Sequence, residues 1–327
     1  MKFKYIFPLL GLTLLACEQT PTYISDGVFC FGTYTEARLY QGDKKNLDDI
    51  LDILNLYSKL SDNYILTDVT NVKSINNTNE EITIRKELYY LIKKSFVVRG
   101  EGAEYFNPLC GSLSEKWKAA LEKKEVLSES VIQEELDKIN NSSFGFGDNN
   151  AVQKEGEALL DLGGIAKGYT LDVVKEYLDE QNISQYLINA GKSSILLGEK
   201  PTNDGCFTVE LEEIRGKTLS LKNCVISTSG NTNQGVTIDG KKYSHIVNPY
   251  TGSAECQYDC IKVISETGYY GDAISTSLMM NTIDKIKEIE IEHNIKTIII
   301  KDGKIIYNHK DIEFNVSKQK VPHIDMI

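Results

Sequence analysis

In the first half of the chain, apolar residues recur every three or four positions. Residues 46–57 (NLDDILDILNLY) have this spacing, which places Leu47, Ile50, Leu51 and Leu54 on one face of a helix. Residues 85–98 repeat the pattern, and so do residues 130–140, whose first positions, Ser130 to Gln133, have capping-box spacing. The pattern predicts three amphipathic helices.

A different pattern follows residue 140. Short apolar runs alternate there with turn residues, which is typical of strands. The runs cover residues 157–162, 185–190, 193–198, 207–213, 217–222 and 224–229. We therefore expect the second half of the chain to be rich in strands.

Mixed structure is predicted at both ends of this pattern. The β-branched and aromatic run at residues 28–40 indicates one strand before the first helix. Near the end, a helix is expected to start at Ile274 and another to cover residues 283–293, followed by two strands within residues 296–307. These elements predict a mixed α/β (α+β) fold: a single compact unit over residues 28–315 with a strand-rich C-terminal half.

The N-terminus has the pattern of a secretory leader. Two lysines precede a short apolar run, and a small residue, Ala16, stands directly before Cys17. This arrangement resembles the bacterial lipobox. It predicts a lipoprotein signal peptide over residues 1–16, a lipid on Cys17, a tether over residues 17–27 and a place on the extracytoplasmic face of the cell membrane. The alternative is an ordinary leader followed by an accidental cysteine.

Charge and cysteine content argue against several classes of function. The formal net charge is −11, and loss of the predicted leader, with its two lysines, takes it to −13. Nucleic acid is therefore not an expected partner, and a bound polyphosphate would call for a divalent cation. The remaining cysteines are scattered without a CxxC pair, so we expect neither a zinc site nor a redox thiol pair, although a disulfide between Cys256 and Cys260 stays open.

The segment DLGGIAKGYT, residues 161–170, concentrates glycines between two apolar runs. It fails as a Walker loop because Tyr169 stands where the lysine must be, and its glycine spacing does not fit a dinucleotide fingerprint. The pattern instead predicts a strand, a glycine turn and a helix whose N-terminal amides, with Lys167 beside them, attract an anion. A purely structural turn is the alternative.

Two further segments carry candidate chemistry. SHIVNPYTG holds His245, one of four histidines, at a turn. YYGDAISTSLMM places Asp272 and Thr276 four residues apart on one helical face, where hard oxygen ligands suit Mg²⁺. Taken alone, each has a plainer interpretation, a structural histidine and a helix cap respectively.

Taken in order, these motifs resemble the ApbE family of FAD:protein FMN transferases. The resemblance extends from FGT at Phe31 to the strand pair near Tyr307. It rests on DLGGIAKGY, INAG, STSGN, HIVNPYTG and GDAISTS, and more weakly on SIN and EYFNPLCGSLSEKW. The resemblance implies an enzyme that binds FAD with Mg²⁺, cleaves the pyrophosphate and transfers FMN to a Thr or Ser hydroxyl of an extracytoplasmic acceptor protein, with release of AMP. Acceptors of the family are typically electron-transfer subunits or secreted reductases.

The resemblance also implies roles for individual residues. His245 matches the histidine that assists the incoming hydroxyl. The metal ligands it implies are the Gly164 carbonyl, Asp272 and Thr276. The FAD contacts it implies are Phe31, Tyr105, Phe106, Asn107, Asp161, Lys167 and Val247.

The sequence departs from the family pattern at a few positions. Lys192 follows Gly191 where many relatives have glycine, Phe31 replaces a methionine, and Asn248 stands where many relatives have aspartate. Two other functions remain open at this point: an FAD pyrophosphatase that yields FMN and AMP, and a flavin-binding lipoprotein without chemistry.

Overall fold

The computed structural model describes residues 21–230 and 235–316. The predicted leader, Cys17 and Asn231 of the STSGN motif lie outside these residues. The helices in the described part are α1 Lys44–Ser61, α2 Val72–Asn76, α3 Lys86–Val97, α4 Gly111–Glu122, α5 Glu129–Asn140, α6 Ala166–Glu180, α7 Gly268–Leu278 and α8 Ile283–His293, with short 3₁₀ turns at Val98–Glu101 and Asp148–Asn150.

The strands in the described part follow the predicted distribution, with most of them after residue 140. They are β1 Ile24–Cys30, β2 Thr33–Leu39, β3 Ile82–Thr83, β4 Ser143–Phe146, β5 Ala151–Glu155, β6 Tyr186–Ala190, β7 Ser194–Leu197, β8 Phe207–Glu210, β9 Lys217–Leu221, β10 Cys224–Gly230, β11 Val236–Ile238, β12 Lys241–Tyr243, β13 Cys260–Ser265, β14 Lys296–Lys301, β15 Lys304–Asn308 and β16 Asn315–Val316.

One antiparallel sheet organises the molecule, with strand order β1-β2-β6-β7-β10-β13-β14-β15. Side chains alternate between its two faces, as a pleated strand requires. On β10, Val225 packs toward α1 and α6, whereas Ile226 packs toward the small sheet β16-β9-β8. Both faces of the central strands are therefore covered, which explains their nearly continuous apolar runs.

Helices α6 and α7 lie side by side on the face of this sheet toward which Val225 points, and they contact β7, β10 and β13. Beyond them, a larger core joins α3, α4 and α8 to the ends of the sheet. The mixed α/β prediction is confirmed. In the described part of the chain, no helix combines the length and the apolar character needed to cross a bilayer.

Four local predictions were wrong. Residues 28–40 form the hairpin β1–β2 instead of one strand, because Phe31 and Gly32 adopt φ values of 51° and 72°, the conformation of a two-residue turn. Helix α5 has its N-cap at Ser128, whose hydroxyl accepts the amide of Val131, instead of at Ser130.

The third wrong prediction is the strand at residues 157–162. This segment is extended, but its backbone bonds loops and side chains instead of a neighbouring strand. Asn76 accepts the Leu160 amide at 2.8 Å and donates to the Leu160 carbonyl at 2.8 Å, while the Asp161 amide donates to the Pro108 carbonyl. The fourth concerns α7, which begins at Gly268, six residues before the expected start at Ile274.

The disulfide left open between Cys256 and Cys260 does not form. The Cys256 thiol donates to the Ala254 carbonyl, and the Cys260 thiol lies 3.5 Å from Oε1 of Glu213. Burial raises the pKa of Cys260 to about 12, so this thiol is protonated near neutral pH and chemically inert.

Candidate active site

A cavity of about 1040 Å³ opens where the start of α6, the middle of α7 and the β1–β2 turn meet. Its volume lies just above the range of about 300–1,000 Å³ for small-molecule sites, which leaves room for a large ligand. All the site residues indicated by the sequence within the described part of the chain line it. They are Phe31, Tyr105, Phe106, Asn107, Asp161, Gly164, Lys167, His245, Val247, Asp272 and Thr276.

The glycine turn before α6 forms part of the cavity wall with its backbone. Asp161 accepts the amide of Gly163 at 2.7 Å and so holds the turn in shape. A Cβ at Gly164 would lie 3.0 Å from the Phe106 ring and 3.4 Å from Oγ1 of Thr276. Helix α6 then starts without a side-chain cap at Ile165. Of its first amides, that of Ala166 donates to the Leu162 carbonyl and that of Gly168 to Asp272.

Asp161 lies half-buried at the base of this turn. Removal from water raises the pKa of its carboxyl, against the lowering effects of the Gly163 amide and the charge of Lys167. This arrangement suits a carboxyl group that contacts a polar ligand.

Helices α6 and α7 touch through their backbones at Gly168 and Gly268. A Cβ on either glycine would overlap the carbonyl group of the other. The contact brings the amide of Gly168 to Oδ2 of Asp272, at 2.7 Å. Only glycine permits this approach, so the glycine at position 168 serves helix packing as well as the turn.

Gly168→Ala is therefore expected to destabilise the fold by at least the ~1–3 kcal/mol typical of overpacking. The added methyl group meets a carbonyl of a neighbouring helix that cannot move independently. Thermal or urea unfolding measures the change. Gly100→Ala is the matched control, because a Cβ there meets no atom within 4 Å. Equal stability of the two variants would contradict the proposed tight contact.

Asp272 lies in the second turn of α7 and is 7% exposed. The N-cap of this helix is Thr267, so the plainer interpretation of Asp272 as a helix cap is wrong. The hydroxyls of Ser194 and Ser227 donate to Oδ1 at 2.8 and 2.6 Å, and the Gly168 amide donates to Oδ2. Burial raises the pKa of this carboxyl, while the charge of Lys167 and the three hydrogen bonds lower it.

The Asp272 environment fits a bound divalent cation. All three donors are uncharged, so they do not neutralise a buried carboxylate. A carboxylate oxygen accepts two hydrogen bonds. Oδ1 is therefore filled, whereas Oδ2 keeps one lone pair for a further partner. The Thr276 hydroxyl, within 3.2 Å of the Asp272 carbonyl and 3.1 Å of the Ser229 hydroxyl, adds a second oxygen.

Within residues 21–230 and 235–316 there is no cluster of three or more His, Cys, Asp or Glu side chains suited to a metal. A cation here would therefore have one carboxylate, one hydroxyl, a backbone carbonyl such as that of Gly164, and ligand or water oxygens. Mg²⁺ prefers this kind of sparse, oxygen-only protein ligation.

His245 lies in the loop that follows β12 and faces the open cavity. Its partial removal from bulk water lowers the pKa of the imidazole, and the charges of Lys167 and Lys118 lower it further. The ring is consequently neutral at pH 7, the state in which a histidine accepts a proton.

Helix α7 is anchored by a residue that the sequence did not indicate. Asp172 of α6 accepts the amides of Gly268 and Tyr269 at 2.6 and 2.8 Å, where the N-cap Thr267 supplies no side-chain bond. The carboxylate thus fixes the start of the helix that bears Asp272. Burial raises the pKa of Asp172 to about 6, against the lowering effect of the two amides.

The raised pKa predicts a pH-dependent stability. Because the folded pKa of Asp172 lies above its ordinary value of 3.8, protonated Asp172 stabilises the fold fully below about pH 4. This contribution, at most about 3 kcal/mol, is lost as the pH rises through about 6. Asp172→Asn should remove this component from urea unfolding measured between pH 4 and 7. Asp179→Asn, an exposed position on the same helix, should retain it, and an equal pH profile in both variants would rule out the role of Asp172.

Aromatic side chains also line the cavity, and the Phe106 ring adjoins Gly164 of the glycine turn. The Tyr105 ring packs edge-on against Tyr250 at 5.6 Å, and its amide donates to Ser277 of α7. The side-chain oxygen of Asn107 accepts the Leu109 amide, so its remaining amide group is the part that can meet a ligand. This wall suits a planar ring system.

Other cavity residues had weaker sequence signals. Ser194 of β7 and Ser227 of β10 are buried hydroxyl residues, and their burial is visible only in the fold. Lys118 and Tyr64, whose ammonium and ring centroid lie 5.5 Å apart, meet from separate elements. Lys192 adopts φ 66° and pairs with Glu212 at the rim, so this lysine does take up the left-handed conformation that favours glycine.

Comparison with known proteins gives a consistent set of relatives. The ApbE family model matches residues 31–299. An FAD:protein FMN transferase of Klebsiella pneumoniae (strain 342) is 34% identical over 133 residues, which cover 38% of this chain and 40% of that protein. One of Chlamydia pneumoniae is 26% identical over 320 residues, which cover 90% of this chain and 96% of that protein.

The match to the Klebsiella relative thus spans less than half of that protein, whereas the match to the Chlamydia relative spans nearly all of it. Among solved structures, the crystal structure of the ApbE protein from Thermotoga maritima superposes with a TM-score of 0.73 at 23% identity, covering 91% of this chain and 97% of that one. This likeness shows a shared fold.

Proposed function

The chain belongs to the ApbE family, and on that basis we propose that it is an FAD:protein FMN transferase. The reaction would cleave the pyrophosphate of FAD, transfer FMN to a Thr or Ser hydroxyl of an acceptor protein and release AMP. The observation that carries the proposal is the meeting, in one cavity, of the Asp272/Thr276 oxygen pair, the glycine turn and a neutral His245.

In the proposed reaction, the acceptor oxygen attacks the phosphorus of the FMN half. A new P–O bond forms, the bond from this phosphorus to the bridging oxygen breaks, and AMP leaves with that oxygen. The hydroxyl proton passes to an imidazole nitrogen of His245, which is free to accept it because its pKa is lowered. General-base assistance of this kind is typically worth about 10²- to 10⁴-fold.

The chain's own residues would bind and orient the pyrophosphate. The positive end of the α6 dipole and the Lys167 ammonium would face its negative charge, and Asp272, Thr276 and the Gly164 carbonyl would hold Mg²⁺. When bound, a divalent ion neutralises phosphate charge and stabilises the leaving oxygen. The aromatic wall of Phe31, Phe106 and Tyr105 would enclose the flavin and nucleotide rings.

The partners and the location of the chain follow from the same proposal. The acceptor would be an extracytoplasmic electron-transfer subunit or a secreted reductase, and Cys17 would carry the lipid that keeps the enzyme at the outer face of the cell membrane. The leader pattern at residues 1–17 supports this location, since enzyme and acceptor must share a compartment.

One assay tests the proposed function. The protein lacking residues 1–20 is incubated with FAD, Mg²⁺ and a candidate acceptor, and the acceptor is then denatured and separated. Flavin fluorescence that stays with the denatured acceptor, together with AMP in solution, is the expected result. Free FMN with an unlabelled acceptor would instead indicate a pyrophosphatase, and unchanged FAD would indicate a binding protein. Either outcome would reject the transferase proposal for that acceptor.

A further inference from the structure

His245 belongs to a closed loop, residues 244–254. The base of the loop is fixed by the Ser244 amide, which donates to the Ala254 carbonyl at 3.1 Å, and by a β-bridge between Tyr243 and Glu255. His245 directly follows Ser244, so the position of its imidazole depends on how the two chain segments of this base are held.

Trp117, the only tryptophan of the chain, contacts the loop at two places. From helix α4, its indole stacks on Tyr243 at the start of the loop, with centroids 5.7 Å apart and planes at 20°. Its Nε1–H donates to the Gly252 carbonyl near the end of the loop, at 2.7 Å. The side chain is 1% exposed, so both contacts are made in a dry interior, where a hydrogen bond is costly to lose.

The rest of the loop is held in shape by its own hydrogen bonds. The side-chain oxygen of Asn248 accepts hydrogen bonds from the backbone amides of Tyr250 and Thr251. The backbone amide of Asn248 donates to the Ser253 carbonyl at 2.8 Å. Gly252, at φ 67°, packs so closely on α5 that a Cβ would overlap Ile132. Residues 248–253 thus form a rigid turn, and the indole hydrogen bond ties this turn to α4 at Gly252, close to the base that carries His245.

We propose that Trp117 is a positioning residue that sets the place of the His245 imidazole in the cavity. The inference rests on the proposed function, because it assigns His245 the task of accepting the hydroxyl proton. Small displacements of a reacting group are enough to lower a rate by up to about 10²-fold. Loss of the indole N–H would release the segment at Gly252 that returns to pair with Ser244 beside His245. The cavity residues outside the loop, such as Phe106 and Asp161, would stay in place.

A double-mutant cycle tests the proposal. The four proteins are the wild type, Trp117→Phe, His245→Ala and the variant with both substitutions, and the measurement is AMP release at saturating FAD, Mg²⁺ and acceptor. Trp117→Phe keeps a ring against Tyr243 and removes the N–H. We expect a rate about 10- to 100-fold lower with FAD affinity, measured by calorimetry in EDTA, changed by less than about 2-fold. In the His245→Ala background the same substitution should change the rate by less than about 2-fold.

A fall of equal size in both backgrounds, or an unchanged rate in Trp117→Phe, would overturn the positioning role. AMP release is common to transfer and hydrolysis, so a wild type that releases AMP without labelling the acceptor would reject the transferase proposal while the cycle still tests Trp117. A wild type that releases no AMP would reject both.

Two further variants guard against a general loss of stability. Tyr177→Phe removes hydrogen bonds to Asn46 and Asp49 at the other end of α6 and should leave AMP release unchanged. If Trp117→Phe does not fold, Tyr243→Leu removes the stacking partner and replaces it in the cycle, with the same expected loss of coupling to His245.

Discussion

Asp272→Asn is expected to abolish both metal binding and FMN transfer. The substitution keeps the size of the side chain but removes the negative charge and offers an NH₂ group where Oδ2 meets the Gly168 amide. Loss of a bound cation removes several kcal/mol of charge stabilisation. A loss of about 4 kcal/mol corresponds to a rate roughly 10³-fold lower, and we expect at least that effect.

Calorimetric titration with Mg²⁺ in the presence of FMN and AMP measures the metal, and AMP release measures the reaction. Glu290→Gln is the matched control. Glu290 is also buried and also accepts three hydrogen bonds, two from Thr297 and one from Tyr307, but it lies on α8 away from the cavity. Undiminished transfer by Asp272→Asn would exclude Asp272 as a metal ligand.

His245→Ala is expected to slow transfer by about 10²- to 10⁴-fold while FAD stays bound. The imidazole faces the cavity, but the wall that encloses FAD is built by other residues. Truncation therefore removes the proton acceptor and little of the binding surface. Loss of FAD binding in this variant would refute the base role and make His245 a binding residue.

The pH dependence of the wild type gives a second check on His245. Because the pKa of its imidazole is lowered from the usual 6.5, the transfer rate should rise with pH through a value below 6.5 and be constant from pH 7 upward. Transfer by His245→Ala, measured under single-turnover conditions over the same range, should lack this acidic limb. If the rate of His245→Ala still fell at acidic pH, the fall would reflect the titration of a group other than His245.

Local patterns predicted the parts of the fold that depend on short-range interactions. The helices at residues 46–57 and 283–293 and the strand pair at residues 296–307 follow from apolar spacing, and the structure contains them. The hairpin at Phe31 was missed because it depends on a positive φ at a bulky residue, which tertiary contacts impose. The Phe31 amide donates to Ser58 of α1, a contact between segments far apart in the sequence.

In the candidate site, too, the sequence indicated some residues and missed others. Motif resemblance indicated the residues that line the cavity, because these carry distinctive chemistry. It gave no role to Asp172 or to Trp117, the last residue of the weaker motif EYFNPLCGSLSEKW, and both act on other elements through backbone groups. Asp172 bonds two amides of α7, and Trp117 bonds a carbonyl of the His245 loop. Backbone partners have no side-chain signature in a sequence, so only the fold reveals such supporting residues.

The contact between Gly168 and Gly268 fixes the distance between two parts of the candidate site. Since the two backbones touch and the Gly168 amide is bonded to Asp272, the glycine turn and the carboxylate cannot separate unless α6 leaves α7. Separation would break the packing of both helices on the central sheet, so it belongs to a large cooperative unfolding step rather than to a local fluctuation. Slow hydrogen exchange at the Gly168 amide would therefore report this unfolding step, and the glycine turn and the carboxylate would keep the same spacing whether the cavity is empty or filled.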